Sequence, residues 1–230
     1  MGKLFLVPTP IGNLRDITLR ALDVLQSVDI ILAEDTRQAG ILLKHHNIKG
    51  KLWSHHKFNE HGSAVSVAAH ISGGMSVALI SDAGSPGISD PGFLLVRTCI
   101  DAGIEVEALP GPTALIPALV ESGLPCERFC FEGFLPHKKG KDKKIRSLAA
   151  EERTMVFYES PFRLADTLER MSNLFGPDRK ASVSRELTKI HAETVRGTIG
   201  SLLVSFTETP PRGELVLVVA GTGPVNRHKE

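Results

Sequence analysis

Short apolar runs alternate along this chain with longer stretches in which apolar residues recur every three or four positions. Runs of four or five residues, such as residues 3–7 and 77–80, predict buried strands. Residues 16–27 carry leucines at threefold spacing, which predicts a helix with one apolar face and with Asp16 or Thr18 as its cap. Regular alternation of strand and helix is typical of α/β folds in which most strands are parallel.

The predicted elements form two sets that are joined near residues 110–125. The first set contains strands at residues 3–7, 29–33, 51–54, 77–80 and 105–109, and helices at 16–27, 37–45, 62–72 and 93–102. The second set follows a helix that begins near Thr113, and it contains strands at 128–133, 154–158, 181–185 and 214–220, and helices at 142–151, 161–175 and 198–206. We therefore expect two α/β domains with mainly parallel or mixed sheets, at residues 1–113 and 114–230. A single larger sheet is the alternative.

Composition narrows the class of protein. Hydrophobic residues make up 42% of the 230 residues and charged residues 23%, which indicates a soluble globular protein. The net charge is only +1, so a polyanionic partner must be bound by a local patch. The three cysteines contain no CxxC pair, and we expect buried, reduced thiols in a cytoplasmic protein. No segment fits a signal peptide or the roughly 20 apolar residues of a membrane helix.

Several familiar catalytic signatures are absent from the sequence. No GxGxxG follows the first strand, and GxxxxGK[ST], HExxH and nucleophile-elbow patterns do not occur. The pairs His45-His46 and His55-His56 could suggest metal ligands, but adjacent residues do not share a helical face. We therefore expect no metal site.

Polar clusters follow most of the predicted strands. The longest is SDAGSPGISDPG at residues 81–92, whose glycines and prolines predict a rigid loop that a ligand can approach closely. Taken alone, it also fits an ordinary strand-to-helix connection that Ser89 or Asp90 caps. Open α/β sheets bind ligands at the carboxyl ends of parallel strands, and the recurrence of such clusters there indicates a functional edge. The other clusters are VPTPIGNL, AEDTR, SHHKFNEH, PGPT, FEGFLP, FYESPFRL, SRELTK and RGELV.

The clusters VPTPIGNL, AEDTR, SDAGSPGISDPG, LPGPTAL, FEGFLP, FYES and SRELTK together resemble the ribosomal RNA small subunit methyltransferase I family of the tetrapyrrole-methylase superfamily. The resemblance runs from about Leu4 to Gly221. It implies two α/β domains with S-adenosyl-L-methionine in the cleft between them, and a homodimer. It also implies 2′-O-methylation of a cytidine ribose in the decoding region of 16S ribosomal RNA, in the small ribosomal subunit.

The resemblance also implies a set of cofactor contacts. Many relatives have Gly-Asp-Pro where this chain has Gly84-Ser85-Pro86, and Asp82 is expected to replace the missing carboxylate. Thr113 and Ala114 match a helix start whose N–H groups suit a carboxylate. The expected cofactor-binding residues are Pro10, Ile11, Asp82, Ala83, Gly84, Ser85, Ile88, Thr113, Ala114, Tyr158, Ser184 and Gly213.

Methyl transfer to a ribose hydroxyl needs alignment and a group that accepts the hydroxyl proton. The candidates are Glu34, Asp35, Glu159 and Glu186. A carboxylate is a better base when burial raises its pKa. We favour Glu159, with Glu186 and Lys189 as a supporting pair. For Glu34, Glu159 and Glu186, structural ion pairs with Arg37, Arg163 and Arg185 are the alternative.

Basic residues are the expected RNA contacts. The run HKKGKDKKIR at residues 137–146 predicts a clamp on the RNA backbone, although it also fits a solvated loop. Guanidinium groups suit phosphate oxygens. The expected RNA-binding residues are Arg15, Arg37, His55, His56, Lys138, Lys139, Lys141, Lys143, Arg163 and Arg185.

Two other functions stay open from the sequence. A methyltransferase for a tetrapyrrole or another small molecule would need a deep apolar cleft and would give the lysine run no role. An RNA-binding or ribosome-assembly factor that keeps the fold would bind RNA without turnover. The sequence ends nine residues after Gly221, where longer family members continue into a C-terminal helical segment. We expect RNA contacts of that segment to be absent here or supplied otherwise.

Overall fold

The computed structural model describes residues 2–56, 60–137 and 139–223. The chain divides into two compact units, one that ends at Thr113 and one that begins at Ala114. Within the described residues, each unit is built on one five-stranded sheet with helices packed against it. This confirms the predicted α/β class and excludes the single larger sheet.

The first unit alternates strand and helix along its described residues. Its elements are β1 (Lys3–Leu6), α1 (Leu19–Ser27), β2 (Ile30–Ala33), α2 (Thr36–His45), β3 (Leu52–Ser54), α3 (Glu60–Ser72), β4 (Val77–Ile80), α4 (Phe93–Asp101) and β5 (Glu105–Ala108). The strand order is β3-β2-β4-β1-β5, and every neighbouring pair is parallel. All carboxyl ends of these strands therefore lie at one edge of the sheet.

The core of the first unit explains the continuous apolar runs of β2 and β4. Alternate side chains point to opposite faces of a strand, so Ile31 packs with α1 and α2 while Leu32 packs with α3 and α4. Both faces are covered, and all four residues of each strand are buried. Full burial of one such side chain contributes about 1.5–3 kcal/mol, which fixes these strands at the centre of the sheet.

The second unit has a mixed sheet. Its elements are α5 (Leu115–Ser122), β6 (Phe129–Phe134), α6 (Lys141–Ser147), β7 (Thr154–Glu159), α7 (Leu164–Phe175), β8 (Lys180–Arg185), β9 (Glu193–Thr198), α8 (Ile199–Glu208) and β10 (Leu215–Val219). The strand order is β6-β7-β10-β8-β9, and only the β6–β7 pair is parallel. Because β7 and β8 both run antiparallel to β10, the carboxyl ends of β6, β7 and β8 share one edge with the start of β10. We call this the carboxyl edge of the second unit.

Some predicted elements differ from the structure. The sequence prediction omitted β9, which lacks an apolar run and is held by six paired residues on β8. The helix predicted at 142–151 is α6, which ends at Ser147. Thr18 caps α1 as expected, since its Oγ1 accepts the N–H of Ala21 at 3.0 Å. The cap of α4 is Gly92, which has no side chain to bond, and neither Ser89 nor Asp90 takes that position.

Three further expectations concern cysteines, metals and membranes. Cys99 is buried and Cys130 is partly buried, but Cys126 is exposed, so the expectation of buried thiols is wrong for Cys126. Across the described ranges, no cluster of three or more His, Cys, Asp or Glu side chains is arranged to hold a metal ion. No helix in those ranges combines the length and the hydropathy that crossing a bilayer requires.

Candidate functional site

Three loops at the carboxyl edge of the first sheet are bonded to one another. Thr9 and Gly84 exchange two backbone hydrogen bonds of 2.9 Å, and Thr9 Oγ1 donates to the carbonyl of Ser81 at 2.9 Å. Ser85 Oγ donates to the carbonyl of Pro112 at 3.3 Å. Hydrogen bonds therefore join the loops that follow β1, β4 and β5, and we call these loops the three-loop cluster.

Glycines let these loops approach closely. Gly84 has a φ of +81°, and a Cβ there would lie 3.5 Å from Ile11 and 3.8 Å from the Pro112 carbonyl. A Cβ on Gly111 would lie 2.7 Å from the Pro8 ring, which is too close for any side chain. The cluster is therefore built from backbone and small side chains, which lets the three loops pack closely against one another at the sheet edge.

Two acidic segments meet beside this cluster. Asp82 Oδ1 accepts the backbone N–H of Asp35 at 3.1 Å, which joins the loop after β4 to the loop after β2. In the strand order β3-β2-β4-β1-β5, the connection from β2 leads to β3 in one direction, and the connection from β4 leads to β5 in the opposite direction. The ends of β2 and β4 thus form the kind of switch point at which open α/β sheets bind ligands. Asp82 is exposed there, and Glu34 and Asp35 are half-buried.

Asp35 has a structural partner and Glu34 has none within the described chain. The Asp35 carboxylate caps α2 by accepting the Arg37 N–H at 2.8 Å, and it also binds the Arg37 guanidinium at 2.8 and 3.1 Å. These hydrogen bonds from Arg37 lower the pKa of Asp35 to about 2. Arg37 therefore pairs with Asp35, and the alternative that Glu34 binds Arg37 is wrong.

The second unit places Glu159 inside its core. The carboxylate is 1% exposed, and its Oε1 lies 2.8 Å from the Ser160 N–H and 2.9 Å from Arg163 Nε. Its Oε2 accepts the Thr167 hydroxyl at 2.5 Å. The ion pair with Arg163 that the sequence offered as an alternative is confirmed. A carboxylate that is buried and bonded on both oxygens does not suit the role of base for which we favoured it.

Lys141 continues this buried network. Its ammonium is 3% exposed and donates to Asp166 Oδ2 and to Thr167 Oγ1, both at 2.7 Å. Burial raises the pKa of Asp166, but hydrogen bonds from Lys141 and Arg170 outweigh it, and the net pKa is below its usual range. The expectation that Lys141 contacts RNA is therefore wrong, because its charge is neutralised inside the protein.

The other members of the lysine run differ from Lys141. Lys139 and Lys143 are exposed, and Lys138 lies outside the described residues. Arg163, also expected at RNA, is 16% exposed and binds the Leu135 carbonyl at 3.0 Å as well as Glu159. Its guanidinium is therefore committed to the fold.

A second polar group lies at the carboxyl edge of the second unit, between the end of β8 and the start of β10. Glu186 Oε1 accepts Lys189 Nζ at 2.9 Å and the Glu214 N–H at 3.1 Å. The Lys189 hydrogen bond lowers the pKa of Glu186. Burial lowers the pKa of Lys189, but its hydrogen bonds to Glu186 and Glu214 outweigh that effect and raise it. Both groups are thus charged, and the pair that we expected does form.

Gly213 is required by this arrangement. Its φ is +86°, and a Cβ at this position would overlap the Glu186 carboxylate. Glu186 itself has a φ of +50°. Arg185 binds Glu193 at 2.7 Å, so its alternative pairing with Glu186 is wrong.

Two more predicted contacts are buried. His55 is 1% exposed, and its Nδ1 lies 3.0 Å from Ser63 Oγ, so a direct RNA contact is excluded by burial. Ser184 is 0% exposed, and its hydroxyl accepts the Thr194 hydroxyl at 2.9 Å, which removes it from the surface that a cofactor can reach. The other expected cofactor residues are exposed or half-buried, apart from Gly84: Pro10, Ile11, Asp82, Ala83, Ser85, Ile88, Thr113, Ala114, Tyr158 and Gly213. Arg15 is exposed and His56 is half-buried.

Sequence reasoning missed Thr9 and Ser81, which join the loops of the three-loop cluster. Ser81 Oγ donates to the Gly84 carbonyl at 3.1 Å. Each is a small hydroxyl residue directly after a strand and within a proline- or glycine-rich loop, and that position was the available signal. The start of α5 has no side-chain cap, because Ala114 occupies the N-cap position. Its N–H groups are therefore not satisfied by a capping side chain.

Comparisons with known proteins agree with this architecture. The sequence matches the family of tetrapyrrole (corrin/porphyrin) methylases over residues 3–203. A solved structure of uroporphyrin-III-C-methyltransferase from Thermus thermophilus shares the fold, with a TM-score of 0.68 and 23% identity over 96% of this chain and 94% of that one.

Two curated relatives are much closer in sequence, and both are named ribosomal RNA small subunit methyltransferase I. The protein from Synechocystis sp. is 50% identical over 99% of this chain and 82% of its own length. The protein from Escherichia coli O157:H7 is 51% identical over 96% of this chain and 78% of its own length. The chain therefore belongs to the tetrapyrrole methylase family and, within it, to the ribosomal RNA small subunit methyltransferase I proteins.

Proposed function

We propose that this protein transfers a methyl group from S-adenosyl-L-methionine to the ribose 2′-oxygen of a cytidine in the decoding region of 16S ribosomal RNA. The observation that carries the proposal is about 50% identity, over nearly the whole chain, to proteins named ribosomal RNA small subunit methyltransferase I. The three-loop cluster supports the cofactor part, and the exposed lysines of the second unit support the RNA part. A homodimer in the cytoplasm, where ribosomal subunits are made, belongs to the same proposal.

The residues of the first unit fit the cofactor. Gly84 lets the loops after β1 and β4 pack closely at the sheet edge, and the exposed carboxylate of Asp82 beside them suits an ammonium or ribose hydroxyl group. The second unit, taken by itself, offers the uncapped start of α5 directly after Thr113, where N–H groups suit a carboxylate. When bound, S-adenosyl-L-methionine supplies a methyl group on a positively charged sulfur. Pro10, Ile11, Ala83, Ser85 and Ile88 would complete the binding surface.

Glu34 is better suited than the other candidate carboxylates to accept the proton of the ribose hydroxyl. Asp35 and Glu186 are held ionised by Arg37 and Lys189, with pKa values below their usual range, which makes them weak bases. Glu159 is sealed in the core. Glu34 lies at the switch point, half-buried, and no hydrogen bond or ion pair within the described chain engages its carboxylate. It could therefore accept a proton without breaking a structural contact.

Methyl transfer to purified small ribosomal subunits that lack the modification tests this function. Labelled S-adenosyl-L-methionine is the donor, and free 16S RNA and a tetrapyrrole precursor are parallel acceptors. We expect label on the 2′-oxygen of one cytidine in the subunits. Label on the tetrapyrrole would point to the small-molecule alternative. RNA binding without any transfer would point to an assembly factor.

An Asp82→Ala variant tests the cofactor surface separately. We expect it to weaken binding of S-adenosylhomocysteine, measured by titration calorimetry, while affinity for the subunits stays unchanged. Asp101→Ala, which removes another exposed carboxylate on the first unit, is the control. Equal cofactor affinity in both variants would contradict a role for Asp82.

A further inference from the structure

Phe162 is displayed to solvent on a tight turn. Its side chain is 97% exposed, which is unusual for the largest apolar residues of a folded chain. The turn spans Ser160 to Arg163 and is closed by a 3.0 Å hydrogen bond from the Arg163 N–H to the Ser160 carbonyl. Pro161 occupies the second position, where its fixed φ favours such a turn. The backbone that carries Phe162 is therefore restrained.

Buried groups hold this turn on both sides. Ser160 donates its N–H to Glu159 at 2.8 Å, and Arg163 forms an ion pair with the same carboxylate at 2.9 Å. Arg163 also donates to the Leu135 carbonyl at 3.0 Å, which ties the turn to the segment that follows β6. A single exposed apolar side chain usually needs no explanation. An aromatic residue whose backbone is held outward by a buried charged network cannot be covered by a shift of the turn, and that indicates a partner.

The lysine run starts beside this turn. Arg163 Nη1 lies 3.1 Å from His137 Nδ1, and His137 begins the lysine run in which Lys139 and Lys143 are exposed. His137 and Lys139 lie between the end of β6 and the start of α6, and Lys143 lies in the first turn of α6. These residues follow the carboxyl end of β6, as Phe162 follows that of β7, so both lie at the carboxyl edge of the second unit. Exposed aromatic rings beside a cationic strip are the features with which proteins bind single-stranded nucleic acid.

Another aromatic group lies at the same edge. Phe134, at the end of β6, is 56% exposed, and its ring centroid lies 5.6 Å from that of Tyr158 at the end of β7. Tyr158 in turn packs edge-on against Phe131 at 4.9 Å. Phe134 is therefore partly covered by protein, whereas Phe162 offers both ring faces. Phe162 is the ring that can accept a base.

We propose that Phe162 stacks on an unpaired base of the substrate RNA. The proposal rests on the proposed function for the identity of the RNA. The physical reason is access: proteins that act on one chosen nucleotide work on single-stranded or extruded segments, whose unstacked bases need a new stacking partner. The lysines beside the turn would hold the backbone of that segment, and Phe162 would hold one of its bases.

Binding of small ribosomal subunits to Phe162 variants tests this inference. We expect Phe162→Ala to weaken binding roughly tenfold to a hundredfold, and Phe162→Trp to bind as the wild type does. Phe162→Leu should bind nearly as weakly as Phe162→Ala, since stacking needs a planar ring. The dependence of affinity on salt should keep its slope, because no charge is removed. Ile190→Ala is the matched control: Ile190 is 96% exposed on the loop after β8, at the same edge.

Three results would overturn the inference. These are an unchanged affinity of Phe162→Ala, full affinity of Phe162→Leu, and a loss of oligomeric mass in Phe162→Ala, which would assign the ring to a contact between chains. Binding is measured without methyl transfer, so its outcome is separate from that of the proposed function. If the wild-type protein binds subunits but transfers no methyl group, the proposed reaction is wrong. The affinities of the Phe162 variants for the subunits would still test the stacking proposal. If the wild-type protein binds no RNA, both fail.

Discussion

Lys141 Nζ donates a 2.7 Å hydrogen bond to Thr167 Oγ1, which itself donates to Glu159 at 2.5 Å. This chain of bonds joins the first residue of α6 to α7 and to the end of β7. It separates Lys141 from the other lysines of the same run, because its charge serves the fold whereas those of Lys139 and Lys143 face solvent. It also anchors the helix that follows the proposed RNA-binding loop.

Replacing Lys141 by methionine should lower the free energy of unfolding by about 1–3 kcal/mol. The methionine keeps most of the apolar stem but removes the buried hydrogen bonds to Thr167 and Asp166, and Asp166 keeps only Arg170 as a partner. Breaking a buried pair costs more than breaking an exposed one. The estimate is moderate because the Asp166 side chain is 48% exposed. Urea denaturation measures the change. Lys143→Met, on the exposed side of the same helix, should change stability by less than about 0.5 kcal/mol. Equal effects of the two substitutions would contradict the buried role of Lys141.

Gly213→Ala should destabilise the protein through two separable effects. The added Cβ meets the Glu186 carboxylate, and the φ of +86° strains any L-residue by about 1–2 kcal/mol. Gly140 has a φ of +89° in the left-handed region but open space around its Cβ position, so Gly140→Ala is the control for the strain. We expect Gly213→Ala to cost clearly more than Gly140→Ala in thermal unfolding.

A double substitution isolates the overlap. In a Glu186→Ala background the obstructing carboxylate is gone, and Gly213→Ala should then cost no more than Gly140→Ala. Coupling between two neighbouring substitutions is the expected sign of direct contact. If the excess cost of Gly213→Ala persisted in that background, the close packing of Gly213 on Glu186 would not be its cause.

The sequence predicted the strands and helices better than it predicted which side chains bond to one another. β2 and β4 were predictable because burial on both faces demands an unbroken apolar run. β9 was not, because an edge strand needs only one partner and its sequence, ETVRGT, lacks an apolar run. The position of the three-loop cluster followed from parallel strand ends. That Lys141 turns inward depends on Thr167, 26 residues further along the chain, and that His55 does so depends on Ser63, 8 residues further. The apolar and polar pattern around each residue does not encode these contacts.

Neutralising Lys139 and Lys143 together should weaken RNA binding and flatten its dependence on salt. Each lysine that contacts a phosphate contributes about 0.7–0.9 to the slope of log affinity against log salt concentration. Filter binding of small ribosomal subunits across a salt series measures this slope. Lys180→Ala is the control, since Lys180 is exposed at the start of β8, at the opposite edge of the sheet. An unchanged slope in the double variant would remove the lysine run from the RNA surface.

Glu34→Gln should lower kcat for methyl transfer by roughly a hundredfold to ten-thousandfold, the usual contribution of a general base. Its melting temperature should stay near that of the wild type, because no structural contact of Glu34 is lost within the described chain. Glu159→Gln should show the reverse pattern, with a lower melting temperature and a nearly normal kcat, because it weakens the buried pair with Arg163. Rate assays and thermal unfolding of both variants measure this contrast. A large loss of kcat in Glu159→Gln alone, with stability unchanged, would return the role of base to Glu159.

The three thiols should react in an order set by burial. Burial raises the pKa of Cys99 to about 11, so at pH 8 only about one molecule in a thousand carries the reactive thiolate there, and the side chain is also closed to solvent. Burial also raises the pKa of Cys130, whereas Cys126 is exposed. Iodoacetamide at pH 8, followed by peptide mass spectrometry, should therefore label Cys126 first and leave Cys99 unmodified in the folded protein. In urea all three should be labelled. Early labelling of Cys99 without denaturant would mean that α4 opens from the first sheet, since Cys99 packs in that core.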